Sequence, residues 1–255
     1  MVSPGFAVVD VETTGFSSST ERIVEIAVVV VEPDGTVSES FCTLLDPDRH
    51  PGPTHVHGIT SEMVNGAPTF ESIHPHLASL LSGRVVVGHN VDRFDLGFLR
   101  AECQRCGGDS LVPDSVVMLD TLVVARDLLG LYGRASLSDC CDRFGLSWDD
   151  HHSALGDAAV TADLLQAMRN ELGDEALGIT DLLNRATLTL WPVGDVAASD
   201  PVHSTGTIVR NRSDMASGLS AAEPDPAPPV VRAYTSVEQP VLHQVLVAGT
   251  PASVA

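Results

Sequence analysis

Hydrophobic and polar positions change their period along the chain, and the changes mark out the elements. Phe6-Ala7-Val8-Val9 is an apolar run that leads into Asp10-Val11-Glu12-Thr13-Thr14-Gly15 and reads as a first strand closed by a turn. Arg22 to Val31 is a longer apolar run, the pattern of a strand covered on both faces. Glu32-Pro33-Asp34-Gly35 supplies a turn, and Thr36 to Leu45 returns as a third strand, completing a meander. The segment from Asp46 to Pro53 is proline-rich and irregular; His55 to Thr60 follows, then a short helical turn over Ser61 to Val64.

From Phe70 the period becomes helical, through Leu81. Arg84 to Gly88 is a short apolar strand, and Leu96 to Cys106 a helix ended by Gly107-Gly108. Val116 to Leu119 reads as another strand, with a helix from Asp120-Thr121 through Leu129. Leu137 to Phe144 forms a helix between a Ser136 cap and Gly145. The last clear helix opens around His151 to Asp157 and runs to about Leu172, with apolar spacing at Ala158, Ala162, Leu165 and Met168. A meander followed by alternating strands and helices predicts an α/β domain with a mixed sheet flanked by helices.

The pattern weakens after Gly173. The expected organisation is a domain over 1–175, a possible extra helix in 176–192, and an irregular, disordered tail over 193–255. Within that tail, Ala221 to Pro229 carries four prolines and reads as a linker.

Charge narrows the partners. The net charge is −20, and all 14 basic residues are arginine. Such a chain does not coat duplex nucleic acid through a broad basic surface. To act on nucleic acid it needs cations at the site, a few placed arginines, or a partner that supplies affinity. Five cysteines, an odd number without a small-domain framework, fit a reducing cytoplasm. Cys103 and Cys106 have the spacing of half a zinc site, with no second pair to complete it. No apolar run reaches membrane-spanning length, and Met1 to Gly5 lacks a secretory signal pattern.

The chemistry gathers on carboxylates. Asp10 and Glu12 alternate with Val11, so both point to one face of the first strand. Adjacent acids raise each other's pKa unless a cation lies between them, and a hard cation takes such oxygen ligands. Two solvated acids at a strand end explain this stretch equally well on its own. Asp95 and Asp157 each stand at a helix start, and His152 lies five residues before Asp157. Four carboxylates and a histidine delivered in this way suit a two-cation centre with a proton acceptor, acting by in-line displacement at phosphorus.

Asp10-Val11-Glu12-Thr13-Thr14-Gly15, His89-Asn90 through Phe94-Asp95, and His152-Ser153-Ala154-Leu155-Gly156-Asp157 resemble the three motifs of the DEDDh 3′–5′ exonucleases. That family includes the epsilon proofreading subunit of bacterial DNA polymerase III, RNase T and oligoribonuclease. The resemblance covers about residues 5–172 and extends to His57-Gly58-Ile59-Thr60 and to Asp120 through Arg126. It implies an RNase H-like fold and two Mg²⁺ or Mn²⁺ ions. Asp10 would bridge both ions, Glu12 and Asp157 would complete one of them, Asp95 would serve the other, and His152 would be the general base. Thr13, Thr14, His57 and Phe94 would line the pocket for the terminal nucleotide. The implied activity releases nucleoside 5′-monophosphates from the 3′ end of single-stranded nucleic acid, DNA before RNA. The implied partner is a DNA polymerase or another replication or repair protein; an RNA-trimming enzyme and a non-catalytic binding subunit are the alternatives. The gap between His89-Asn90 and Phe94-Asp95 is three residues where the family usually has two, and the apolar flanks select Asp95 over Asp92 as the ligand. Ser153 stands where the sister class carries its tyrosine, which excludes that class.

Overall fold

The computed structural model describes residues 4–107, 116–133, 135–148 and 152–188. The segment read as a tail over 193–255 therefore lies outside the described residues, as does His151.

Five strands form one mixed sheet in the order β3-β2-β1-β4-β5. β1 (Phe6–Thr13), β2 (Ile23–Val31) and β3 (Val37–Leu44) are the antiparallel meander. β4 (Val85–Gly88) and β5 (Met118–Asp120) add parallel to the other side of β1. This leaves β1 central, with partner strands on both sides.

The helices are α1 (Thr54–His57), α2 (Ser61–Val64), α3 (Phe70–Leu81), α4 (Asp95–Arg105), α5 (Thr121–Asp127), α6 (Leu137–Phe144), α7 (Ala154–Leu172) and α8 (Ile179–Leu188). α1 is an addition to the sequence reading. Four residues carry no helical periodicity, and the turn is closed by Gly58 at φ 72°, a conformation glycine adopts without a Cβ clash.

Strand alternation sorts the core into two layers. Ala7, Val9 and Val11 face one layer, where Ile26, Val28, Phe41, Leu77 and Phe98 meet. Phe6 and Val8 face the other, with Ala27, Val29, Ala158 and Leu165. All nine residues of β2 are buried, as expected for a strand covered on both sides. By the same alternation Asp10 and Glu12 belong to the second layer, the one built around α7.

Small side chains let α7 come close to the sheet. Ala154, Ala158 and Ala162 recur at a spacing of four along the helix and are buried against a layer that includes Ala27 of β2. Ala27 in turn pairs directly with Asp10. α8 packs on the same layer through Ile179 and Ala186, both buried.

Candidate active site

Asp10 and Glu12 sit two residues apart near the end of β1, next to the β-bulge between Glu12 and Thr13. Asp157 occupies the first turn of α7. One carboxylate oxygen from each of these three half-buried residues lies within 4.8 Å of the others. The start of α7 is fixed from two sides. Ser153 caps the helix, its hydroxyl accepting the Gly156 N–H at 3.1 Å. The Ala154 N–H donates to Glu25 Oε2 at 3.0 Å.

Asp95 is buried; it is not one of the three acids grouped within 4.8 Å, but its charge is the largest of those acting on Asp10. Its Oδ1 accepts the Val11 N–H at 3.1 Å, which ties α4 to the middle of the Asp10-Val11-Glu12 stretch. Asp92 is exposed. The longer connector between the His-Asn pair and the acid is absorbed by Asn90, which takes φ 72°. Asp120, the N-cap of α5, then accepts from the Asn90 N–H at 2.9 Å and the Asp92 N–H at 3.4 Å. Asp92 and Arg93 are exposed, and Asp95 opens α4.

Charge accumulates at this centre. Burial pushes the Asp10 carboxyl well above its ordinary range, and the charges of Asp95, Asp157, Glu12 and Glu25 push it further. Burial raises Asp95 to about 8, with Asp120 and Asp157 contributing, against the lowering effect of the Val11 N–H and its own backbone N–H. These oxygens form a donor set suited to a hard divalent cation, whose charge would offset the repulsion.

His152 is exposed, at φ 60°, one residue before the cap of α7. Thr13 and Thr14 are buried; Thr13 donates to the Gly15 carbonyl at 2.7 Å, and Thr14 to Glu21 Oε2 at 2.5 Å. Gly52 backs the same turn, since a Cβ there would stand 2.3 Å from the Thr14 carbonyl oxygen. His57 is buried, with Nδ1 accepting the Ile59 N–H at 3.0 Å. Phe94 is half-buried and tilts against Phe98 with ring centroids 5.0 Å apart. His89 bridges Thr121 Oγ1 at 3.0 Å and the Ala135 carbonyl at 2.8 Å, and burial lowers its pKa, so it acts as a neutral brace.

Three residues at or around this centre escaped the sequence reading. Glu25 sits opposite Glu12 on β2, buried, and its partner is far away in sequence. Phe16 follows the first motif and is 92% exposed, an aromatic ring open to solvent where the motif ends. Trp148 precedes α7, and its indole donates to Asp157 Oδ1 at 2.9 Å. The position of Phe16 directly after Gly15 was a usable signal; for Glu25 and Trp148 there was none. A separate cavity of about 300 Å³, lined by Met118, Leu119, Val123 and Leu182 among others, opens at the β5 edge; its lining includes none of the clustered acids.

Comparison with known proteins agrees with this geometry. The RNase T exonuclease family model matches residues 7–165. DNA polymerase III of the PolC type from Clostridium perfringens is 34% identical over 172 residues, covering 67% of this chain and 12% of that protein. The 3′-5′ exonuclease DinG from Bacillus subtilis is 33% identical over 172 residues, covering 64% of this chain and 18% of that protein. The chain thus spans less than a fifth of the length of these curated relatives. In structure, E. coli exonuclease I in complex with a dA16 oligonucleotide superposes with a TM-score of 0.59 at 21% identity, over 68% of this chain and 42% of that one. The central mixed sheet flanked by helices is accordingly the RNase H-like exonuclease fold. With its three motifs on β1, α4 and α7 of that fold, the chain belongs to the RNase T-type exonuclease family, the DEDDh 3′–5′ exonucleases.

Proposed function

We propose that the domain removes nucleoside 5′-monophosphates from the 3′ end of single-stranded DNA, using two Mg²⁺ or Mn²⁺ ions, in proofreading or repair. The observation that carries this reading is the convergence of Asp10, Glu12 and Asp157 to within 4.8 Å, from elements at opposite ends of the domain sequence. When bound, a divalent pair supplies charge neutralisation for the attacking and leaving oxygens of an in-line displacement at phosphorus.

The chain's own residues do the rest. Asp10, Glu12, Asp95 and Asp157 hold the cations, with Asp95 fixed by the Val11 N–H that its Oδ1 accepts. His152, on the exposed loop ahead of α7, accepts the proton of the attacking water. Thr13 and Thr14 shape the turn that receives the terminal nucleotide, with His57 and Phe94 in the supporting wall. Phe16 offers its exposed ring to a base, a sequence-tolerant contact suited to a single strand.

DNA is favoured because the PolC-type relatives are named as DNA polymerases and the E. coli exonuclease I neighbour holds an oligodeoxynucleotide. The net charge of −20 leaves affinity for long DNA to the cations and to a protein partner, which we take to be a DNA polymerase or another replication protein. No helix among the described residues is long and apolar enough to cross a membrane; the cytoplasm as the protein's location rests on the odd set of five cysteines, which suits a reducing compartment.

The test is turnover of 5′-labelled single-stranded DNA and RNA of one sequence with Mg²⁺ or Mn²⁺. Stepwise shortening from the 3′ end, faster on DNA and abolished by chelator, is the expected result. Faster RNA shortening makes the domain an RNA-trimming enzyme instead, and intact substrates leave a binding subunit. The same assay separates the two acids of the second motif. Asp95→Asn should lower the rate by about 10²-fold or more, because the buried carboxyl orders the metal-bearing strand. Asp92→Asn, at an exposed side chain, should stay within about twofold of the parent.

A further inference from the structure

The oxygens of three acids lie within 4.8 Å of one another, and that arrangement must be held in place before a cation arrives. Asp10 and Glu12 are fixed by the strand that carries them. Asp157 stands on a helix, where rotation about χ1 would carry its carboxylate away from the other two unless a donor restrains it. The Trp148 indole meets that requirement. Its Nε1–H donates to Asp157 Oδ1 at 2.9 Å, and the Trp148 side chain is itself half-buried.

The chemistry of the pair suits this purpose. An indole N–H is a donor only, so it can pair with the carboxylate in one sense. It carries no charge, so it neither competes with a cation for the centre nor cancels the field that attracts one. A carboxylate has about four acceptor positions, so a bond to Oδ1 does not by itself take up its capacity to serve a metal. The flat ring is also large enough to be locked by packing, which a hydroxyl would not be.

We propose that Trp148 is a positioning residue of the cation site: its indole N–H holds Asp157 turned toward Asp10 and Glu12, so that cation affinity depends on it. This rests on the metal reading given above. Donors of this kind, one step removed from the metal, typically change metal affinity by about 10–100-fold when removed.

The experiment uses the full chain. The chain has two tryptophans, so Trp191→Phe gives a parent in which Trp148 alone reports. Mn²⁺ is titrated without substrate, with free ion followed by electron paramagnetic resonance and bound ion by quenching of Trp148 fluorescence. The parent should take up Mn²⁺ with quenching. Trp148→Phe, followed by resonance alone, should bind Mn²⁺ about 10–100-fold more weakly. Its melting temperature in chelator should stay close to the parent's. A second variant carries benzothienylalanine at position 148, which keeps the shape of the ring and replaces the N–H by sulfur. It should show the same loss, and it decides the matter if the phenylalanine variant does not fold. Parent-like Mn²⁺ affinity in the benzothienylalanine variant overturns the role of Trp148 while leaving the metal site standing. A parent that binds no Mn²⁺ at all removes the metal reading and this proposal with it.

Discussion

Asp10→Asn is expected to reduce metal-dependent turnover by roughly 10³-fold or more, because the substitution deletes the carboxylate on which the charges of the surrounding acids converge. Steady-state rates on single-stranded DNA with Mg²⁺ measure it; a rate within about tenfold of the parent would contradict the site as described. The same change should stabilise the metal-free protein at neutral and alkaline pH, and the sign follows from linkage. Asp10 is raised in the folded state by burial and by the surrounding acids, and Asp95 is raised to about 8. Below the ordinary carboxylate value both folded and unfolded chains are protonated, and stability is undiminished by these groups. As pH rises from about 4 toward 8, the unfolded chain releases protons that the folded chain retains, and stability falls. In chelator, the parent should therefore melt at progressively lower temperature across that interval, and the Asp10→Asn variant should do so less steeply. Saturating Mg²⁺ should lift the parent's melting temperature and flatten its pH profile, with little effect on the variant.

The second large effect concerns stability rather than chemistry. Glu102, on α4, is 1% exposed and accepts four hydrogen bonds from three residues. Arg22 grips both carboxylate oxygens, Nε to Oε1 at 2.8 Å and Nη2 to Oε2 at 3.0 Å. Arg105 donates to Oε1 at 3.0 Å and reaches the Ser18 carbonyl with its other nitrogen at 2.6 Å. The Ile23 N–H completes the set at 3.3 Å. Glu102→Ala leaves two guanidinium groups and a buried N–H without this acceptor. Breaking a buried pair costs about 3–5 kcal/mol, and the partial exposure of both arginines places this case at the low end, about 3 kcal/mol. For a domain of this size that is a fall of roughly 6–12 °C in melting temperature, read by calorimetry in Mg²⁺. Because Arg22, Arg105 and Ser18 frame the connection that follows Thr14, KM should rise more than kcat falls. An unchanged melting temperature would show that the network contributes little.

What could be seen in the letters was whatever repeats locally. The apolar run of β2 announced a doubly covered strand, and the alternation through Asp10-Val11-Glu12 placed both acids on one face. The helical spacing from Phe70 to Leu81 and from Leu137 to Phe144 coincides with the boundaries of α3 and α6. Other ends shifted by one to a few residues, as at β5 and α8, where short elements take their limits from neighbours. What stayed hidden depends on contacts between distant residues. Glu25 is tied to Ala154, Arg22 to Glu102 and Val11 to Asp95, across separations of 129, 80 and 84 residues. No local period encodes such pairs. The Trp148 bond to Asp157 spans only nine residues, yet it joins a residue ahead of α7 to one in its first turn and follows no helical or strand period.

The acid cluster joins the first strand of the domain to its last long helix, and that has a consequence for synthesis. Asp10 leaves the ribosome early, but its partner Asp157 follows 147 residues later (157 minus 10). Until α7 has docked on β1 and β2, the nascent polypeptide carries half a reaction centre. The three-carboxylate cluster is therefore assembled only when the domain is complete.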